Sequence, residues 1–246
     1  MGYFSDLSDS QRHAYLDAHA FFSDSGSEKS FTGIISSIAS LQSWLEYFVS
    51  ARFNASVSAF FTEAVNDAIL SYSFARVGTW RPALQSLRST LENCLFFLYY
   101  KDHSVELALW SRQKHRIGFT ELCHYLRAHP DLSDRNHQSE TGIEHLEKAY
   151  SQLSQAVHGS VDHFRMVVKT SSSHELPAIH VKSPVELSRY RTMLRQLVEA
   201  LNQLLVAVFR EHLQGAALPA LRQAIAAAVS AKKKALAKNV YNVVLH

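Results

Sequence analysis

Apolar residues return every third or fourth position through most of this chain, which commits it to helices rather than sheets. One stripe runs through Phe31, Ile34, Ile35, Ile38, Leu41, Leu45, Phe48 and Val49, and a second through Phe60, Phe61, Val65, Ile69 and Tyr72. Three more follow: Leu84 to Leu98, then Ile143, Leu146, Tyr150, Leu153 and Val157, then Tyr190 to Val208. Only 8 Gly and 5 Pro stand in 246 residues, too few for the turns of an all-β protein. A hydrophobic share of 47% excludes a disordered chain. The expected fold is mostly α, an antiparallel helical bundle.

Local signals divide the chain without forcing a second domain, so residues 1–246 are read as one. Residues 1–30 should hold a short helix over 8–23 and a flexible Ser-Asp-Ser-Gly-Ser-Glu stretch at 23–28. The bundle core should occupy 31–213, with breaks near Asn54 and at Gly78-Thr79, and Pro82 in the first turn of the next helix. That helix should end near Lys101. The following one is expected to run from Ser104 to Arg127, where His129-Pro130 stops it, and a polar loop fills 130–140. Gly159 suits the end of the Ile143–Val157 stripe. Between 164 and 182, Phe164–Lys169 and Ala178–Lys182 look like a small β-hairpin. Ser183-x-x-Glu186 has the pattern of a capping box. An Ala/Lys-rich helix within 216–246 should start at Pro219 and reach about Lys238.

Motif chemistry is mostly excluded. No phosphate loop and no strained serine turn occurs, and the 14 histidines lack the spacing of a zinc box, so neither metal nor cofactor is expected. Cys94 and Cys123 sit among apolar helical residues and read as buried, reduced thiols. The opening MGYFSDLSDSQRH lacks the apolar centre of a signal peptide, and Asp6 departs from the myristoylation pattern. Apolar runs at 95–100 and 204–209 are far too short to span a bilayer. A cytoplasmic protein without a membrane partner is expected.

Charge is unevenly placed. Six acidic and two basic residues lie in 1–46, whereas 212–246 carries Arg222, Lys232, Lys233, Lys234 and Lys238 with no acid. Such a basic end suits nucleic acid or an acidic partner. It equally suits a solvated helix end whose lysines face the negative pole of the macrodipole.

Two helical constellations set polar groups beside apolar stripes. Arg88 and Glu92 stand four apart, the spacing of an intrahelical ion pair, with Arg112 or His158 as candidate partners from other helices. Tyr150, Ser154 and His158 also stand four apart, which places all three on one side of their helix. His158 could titrate near neutrality as a general base or acid, or simply reach the last carbonyls of its helix. A third set, Arg112, His115 and Arg116, continues the face of Val105, Ala108 and Leu109 toward Phe119, Leu122, Cys123 and Leu126. Cations on a buried face would line a polar cleft and meet an anion, unless the helix bends or the arginines snorkel.

These residues together carry a resemblance. Arg88-x3-Glu92 in a helix ending Phe96-Phe97-Leu98-Tyr99-Tyr100, a following helix with Trp110, and Tyr150-x3-Ser154-x3-His158-Gly159 resemble the HEPN superfamily, over about residues 45–212. The resemblance implies a helical bundle that dimerises and acts in prokaryotic stress response, phage defence or toxin–antitoxin systems. It further implies metal-independent RNA cleavage in many members, by an arginine and a histidine about a turn apart on one helix. There the histidine helps activate the ribose 2′-hydroxyl and the arginine binds phosphate. This chain has His158 in place, but Ser151, Gln152 and Leu153 precede it where the arginine would stand. Either Arg88 or Arg112 supplies the cation from another helix, or the protein is not a nuclease. The expected function is binding of RNA or a partner protein at a polar cleft formed by Arg88, Glu92, Arg112, Arg116, Tyr150, Ser154 and His158, with Lys232, Lys233 and Lys234 as further binding residues. An RNase and a purely structural dimeric scaffold are the alternatives.

Overall fold

Each apolar stripe becomes a helix that buries most of it against the others, although Ile35 and Ile69 stay exposed. The structure is a computed structural model that describes residues 2–23, 25–132, 140–158, 166–169, 175–177 and 179–246. Within these, the side chains of residues 2–8, 10, 25–30, 157, 158, 167–169 and 175–177 lie outside the description. The expected 130–140 loop falls mostly on 133–139, and Gly159 and Phe164 on 159–165, all outside the described residues.

The chain is mostly helical. It begins with α1 (Gly2–Phe22) and α2 (Ser25–Trp44), then a π-turn over Leu45–Val49 and the short α3 (Ser50–Arg52). Residues 25–28, expected to be flexible, are thus the first turn of α2. The wider π-turn lets consecutive residues Phe48 and Val49 both face the core, where each is fully buried. A break follows where Asn54 caps α4 (Ala55–Ala75), its side chain accepting from the Val57 N–H at 3.0 Å. After the Gly78 turn, α5 (Trp80–Tyr100) packs along α4 as a helical hairpin.

The helix expected over 104–127 is two. α6 (Ser104–Ser111) ends at Arg112, Gln113 takes a left-handed φ of 59°, and α7 (Phe119–Ala128) starts only after Gly118. The Glu121 carboxylate accepts the Gly118 N–H at 2.8 Å and fixes that new start. Then come α8 (Ile143–His158) and α9 (Pro184–Val208), with the pair β1 (Val167–Lys169) and β2 (Glu175–Pro177) between them. Those two segments run antiparallel with Val168 opposite Leu176.

Residues 179–182, expected to form the second strand, instead close on the α4–α5 turn. Val181 exchanges bonds with Gly78 O and Trp80 Nε1, at 3.0 and 2.8 Å. Gly78 has φ +70°, and a Cβ there would meet Val181 O at 2.7 Å, so only glycine fits. Ser183 caps α9 by accepting the Glu186 N–H at 3.2 Å, but the Glu186 carboxylate turns to Arg189 rather than completing the box.

The chain ends with α10 (Arg210–Leu213), α11 (Pro219–Ala228) and α12 (Ala231–Tyr241). The single C-terminal helix expected to about Lys238 is therefore broken at Val229 and Ser230, both extended. Alanines gave no warning of this. The break is held from a distance: Glu199 on α9 accepts the Ser230 N–H at 2.7 Å.

One contiguous apolar core joins Ala18 of α1 to Val243 beyond α12. At its centre Phe48, Phe53, Phe97 and Phe209 form an aromatic cluster, with Phe48 and Phe209 centroids 4.7 Å apart. Beside it, fully buried Asn202 accepts from Trp44 Nε1 at 2.9 Å and donates to Ser40 Oγ at 2.8 Å and to Val198 O at 3.0 Å. α8 is pressed onto α9 at its start. Gly142 has φ +88°, and a Cβ there would lie 2.8 Å from Ala200 O.

Candidate binding surface

The α5–α8 seam brings three of the sequence-selected residues together. Arg88 bonds Glu92 one turn on at 3.1 Å, as its spacing predicts, and both side chains are partly buried. The partner from another helix is Tyr150, whose hydroxyl accepts from Arg88 Nη2 at 2.7 Å, while Arg112 is exposed elsewhere. The guanidinium also lies 4.8 Å from the Tyr150 ring centroid, and Phe119 of α7 stacks on that ring at 3.7 Å. Arg88 is thus held by a carboxylate, a phenol and an aromatic face.

One turn beyond Tyr150, the Ser154 Oγ is buried with no partner among the described residues. His158 closes α8, but its side chain lies outside the described residues. Arg112 and Arg116 are not brought to a cleft. The α6–α7 break turns them outward and both are exposed, so the buried basic face expected there does not form. Breaking the helix avoids the cost of burying those cations. It also leaves α6 apolar residues exposed, Val105 at 67% and Trp110 at 44%.

The lysine cluster lies opposite to where the helix-end reading put it. Lys232, Lys233 and Lys234 occupy the first turn of α12, the positive end of the macrodipole, and only Lys238 lies in the last turn. Arg222, counted with them by sequence, is 6% exposed and donates to Gly215 O at 2.6 Å, so it belongs to the core. Of the three clustered lysines, Lys233 turns toward α8 and α9. Burial pulls its pKa down, Glu199 pulls it back up, and Lys232 lowers it further.

That contact opens onto a polar face that runs along α9 between α8 and α12. A cleft of about 360 Å³ is lined by His145, Lys148 and Gln152 of α8, Gln196, Glu199 and Gln203 of α9, and Lys233. Farther along α9, Arg191 and Arg195 flank a second hollow with Gln196 and Glu199. No ion pair ties Lys148, Arg191, Arg195 or Lys233 to a carboxylate among the described residues. Of the acids on this side, Glu186 bonds Arg189 at 2.6 Å and Glu199 bonds the Ser230 N–H, while Glu140 lies near Lys233 and Glu144 near His145. The His145 imidazole is held below its usual pKa, first by burial and then by Lys233 and Lys148, against weaker opposing effects of Glu144 and Glu199.

Other reactive groups are structural. His129 caps α7, bonds Asp102 through Nε2 at 3.2 Å, and accepts the Asp131 N–H at Nδ1. Asp102 also receives Lys101 and Tyr125 at 2.5 and 2.6 Å, which leaves this network internally satisfied. Cys94 and Cys123 are free and buried, and burial pushes both thiols up, Cys123 to about 12. Among the described residues no three His, Cys, Asp or Glu side chains are grouped to hold a metal, and no helix is long and apolar enough to cross a membrane.

No family model matches the chain, and neither a curated protein nor a solved structure matches it. The α9 face was missed in the sequence because attention to apolar stripes hides what lies between them. Arg191 and Arg195 stand four apart, as do Lys148 and Gln152, and both pairs were readable as solvated helix edges. Their convergence with Lys233 depends on the fold-back of α12, which no local pattern records.

Proposed function

We propose that this chain is a HEPN-like helical-bundle protein of a prokaryotic stress-response, phage-defence or toxin–antitoxin system, cytoplasmic and homodimeric, and that it binds RNA. The observation that carries the RNA reading is the set of cations without ion pairs around α9: Lys148 and Lys233 line one hollow and Arg191 and Arg195 the next, the two hollows sharing Gln196 and Glu199. A polyanion gains most from such a face, since phosphates release counterions when they meet it. Glutamines 152 and 196 between the cations add donors and acceptors for base edges or sugars. The homodimer is supported by the apolar residues that α6 leaves exposed.

Binding is favoured over cleavage because Arg88 is already held by Glu92 and Tyr150. A metal-independent RNase built on His158 would have to take its phosphate-binding cation from Arg112, which faces solvent. Fluorescence anisotropy with labelled single-stranded RNA in EDTA, followed by electrophoresis of the same RNA, tests the reading. The wild type should bind and return the RNA intact, and Arg191→Glu with Arg195→Glu should weaken binding by roughly tenfold or more. No binding by the wild type rejects the reading. Cleavage that disappears in His158→Ala replaces it with the RNase alternative.

A further inference from the structure

α6 carries an apolar stripe that its own chain does not cover. Val105, Leu109 and Trp110 are all exposed, and no residue of the helix is buried. Trp110 packs by one side only: its ring lies 4.9 Å from Phe60 of α4, which in turn meets Phe96 of α5 at 5.9 Å. An exposed stripe at helical spacing, joined to an aromatic patch, has the make-up of an interface centre.

Charge is sorted about this patch. On the α4 side stand Glu63, one turn beyond Phe60, and Asp67. Among the described residues Glu63 bonds only the Asn66 amide and Asp67 only that of Asn93, so neither meets a cation. Burial raises the Asp67 pKa, the Asn93 bond lowers it, and Glu63 and Glu92 raise it further. The other side is basic. Past Trp110 the chain leaves α4 for α7, which packs on α5 and α8, and this loop exposes Arg112, Lys114 and Arg116 with no ion pair among the described residues. The remaining acids nearby are placed differently. Glu92 is bonded to Arg88, Glu121 accepts the Gly118 N–H, and half-buried Glu106 of α6 lies toward Tyr99 and Tyr100.

A patch that is acidic at one side and basic at the other is complementary to itself. A two-fold axis through the aromatic centre sets the acidic edge of each copy against the basic loop of the other, and makes the contact twice. A partner of a single charge would satisfy one edge and oppose the other.

We propose that a second copy of this chain covers α6, with Val105, Leu109 and Trp110 at the centre of a two-fold interface and Glu63 facing the partner subunit's Arg112 and the partner subunit's Arg116. This interface rests on the homodimeric reading and specifies the face that forms the dimer.

Analytical ultracentrifugation of the full chain at micromolar concentration tests it. The wild type should sediment as a dimer. Val105→Glu should sediment as a monomer with wild-type circular dichroism, since that side chain is exposed in its own subunit. Glu63→Arg, and the double variant Arg112→Glu with Arg116→Glu, should each self-associate more weakly by roughly tenfold or more. Mixed together, these two proteins should pair about as tightly as wild type, because every edge again meets its opposite charge. A monomeric wild type overturns the interface and the homodimeric reading together, and leaves α6 to a partner of another kind. A dimer unmoved by Val105→Glu overturns the interface alone and leaves the homodimeric reading standing. Charge variants that are weakened singly and stay apart when mixed overturn the two-fold pairing of the edges.

Discussion

Arg88 donates to the Tyr150 hydroxyl at 2.7 Å and thereby joins α5 to α8. The bond is charge-assisted, partly buried, and backed by Phe119 stacked on the phenol ring. Removing only the hydroxyl should therefore be measurable. Tyr150→Phe should cost about 0.5–1.5 kcal/mol in urea unfolding, because Glu92 still holds the guanidinium. Arg88→Ala should cost more, since it also frees Glu92 and strips the cation from the ring. Unfolding midpoints equal to wild type in both variants would show that the seam does not depend on this clip.

Asn202 should be less forgiving. It is fully buried and bonds three buried groups: the Trp44 indole, the Ser40 hydroxyl and the Val198 carbonyl. Asn202→Leu keeps the branched shape but orphans the Trp44 N–H inside the core, so a loss of about 2 kcal/mol or more is expected. Thermal unfolding of the variant measures it, and an unchanged melting temperature would contradict the network.

The pH dependence of His145 has a definite sign. Its folded pKa lies below the unfolded value of 6.5, through burial first and then the charges of Lys233 and Lys148. Between the two values the unfolded chain binds the extra proton. The stability contribution is thus fully present above about 6.5 and is lost as pH falls through the folded pKa. Imidazole NMR should show His145 titrating below 6.5, and Lys148→Gln should move it upward. A midpoint above 6.5 in the wild type would remove the lysines from its surroundings.

Much of the bundle was legible because a buried helix must repeat its apolar residues at its own period. Asn54, Gly78 and Ser183 act where their chemistry places them. Most of the misses have one physical origin, contacts between residues far apart in sequence, and the break after α6 is the local exception. The end of α6 is written in Gln113 and Gly118, but the residues from Arg112 to Ile117 carry no strong breaker. The α11–α12 break depends on Glu199, thirty-one residues upstream of Ser230. Tyr150 was singled out for its place on α8, yet its pairing with Arg88 spans sixty-two residues. The lysine cluster was visible, while its place at the start of a helix was not, and that place turns it from a satisfied end into an unsatisfied one.

The salt dependence of RNA binding tests the central claim most directly. If Arg191 and Arg195 each meet a phosphate, the double Gln variant should bind more weakly. Its plot of log affinity against log salt should be shallower than wild type by about 1.4, two contacts at roughly 0.7 each for a single strand. An identical slope in the two proteins would contradict the account and place any RNA elsewhere on the molecule.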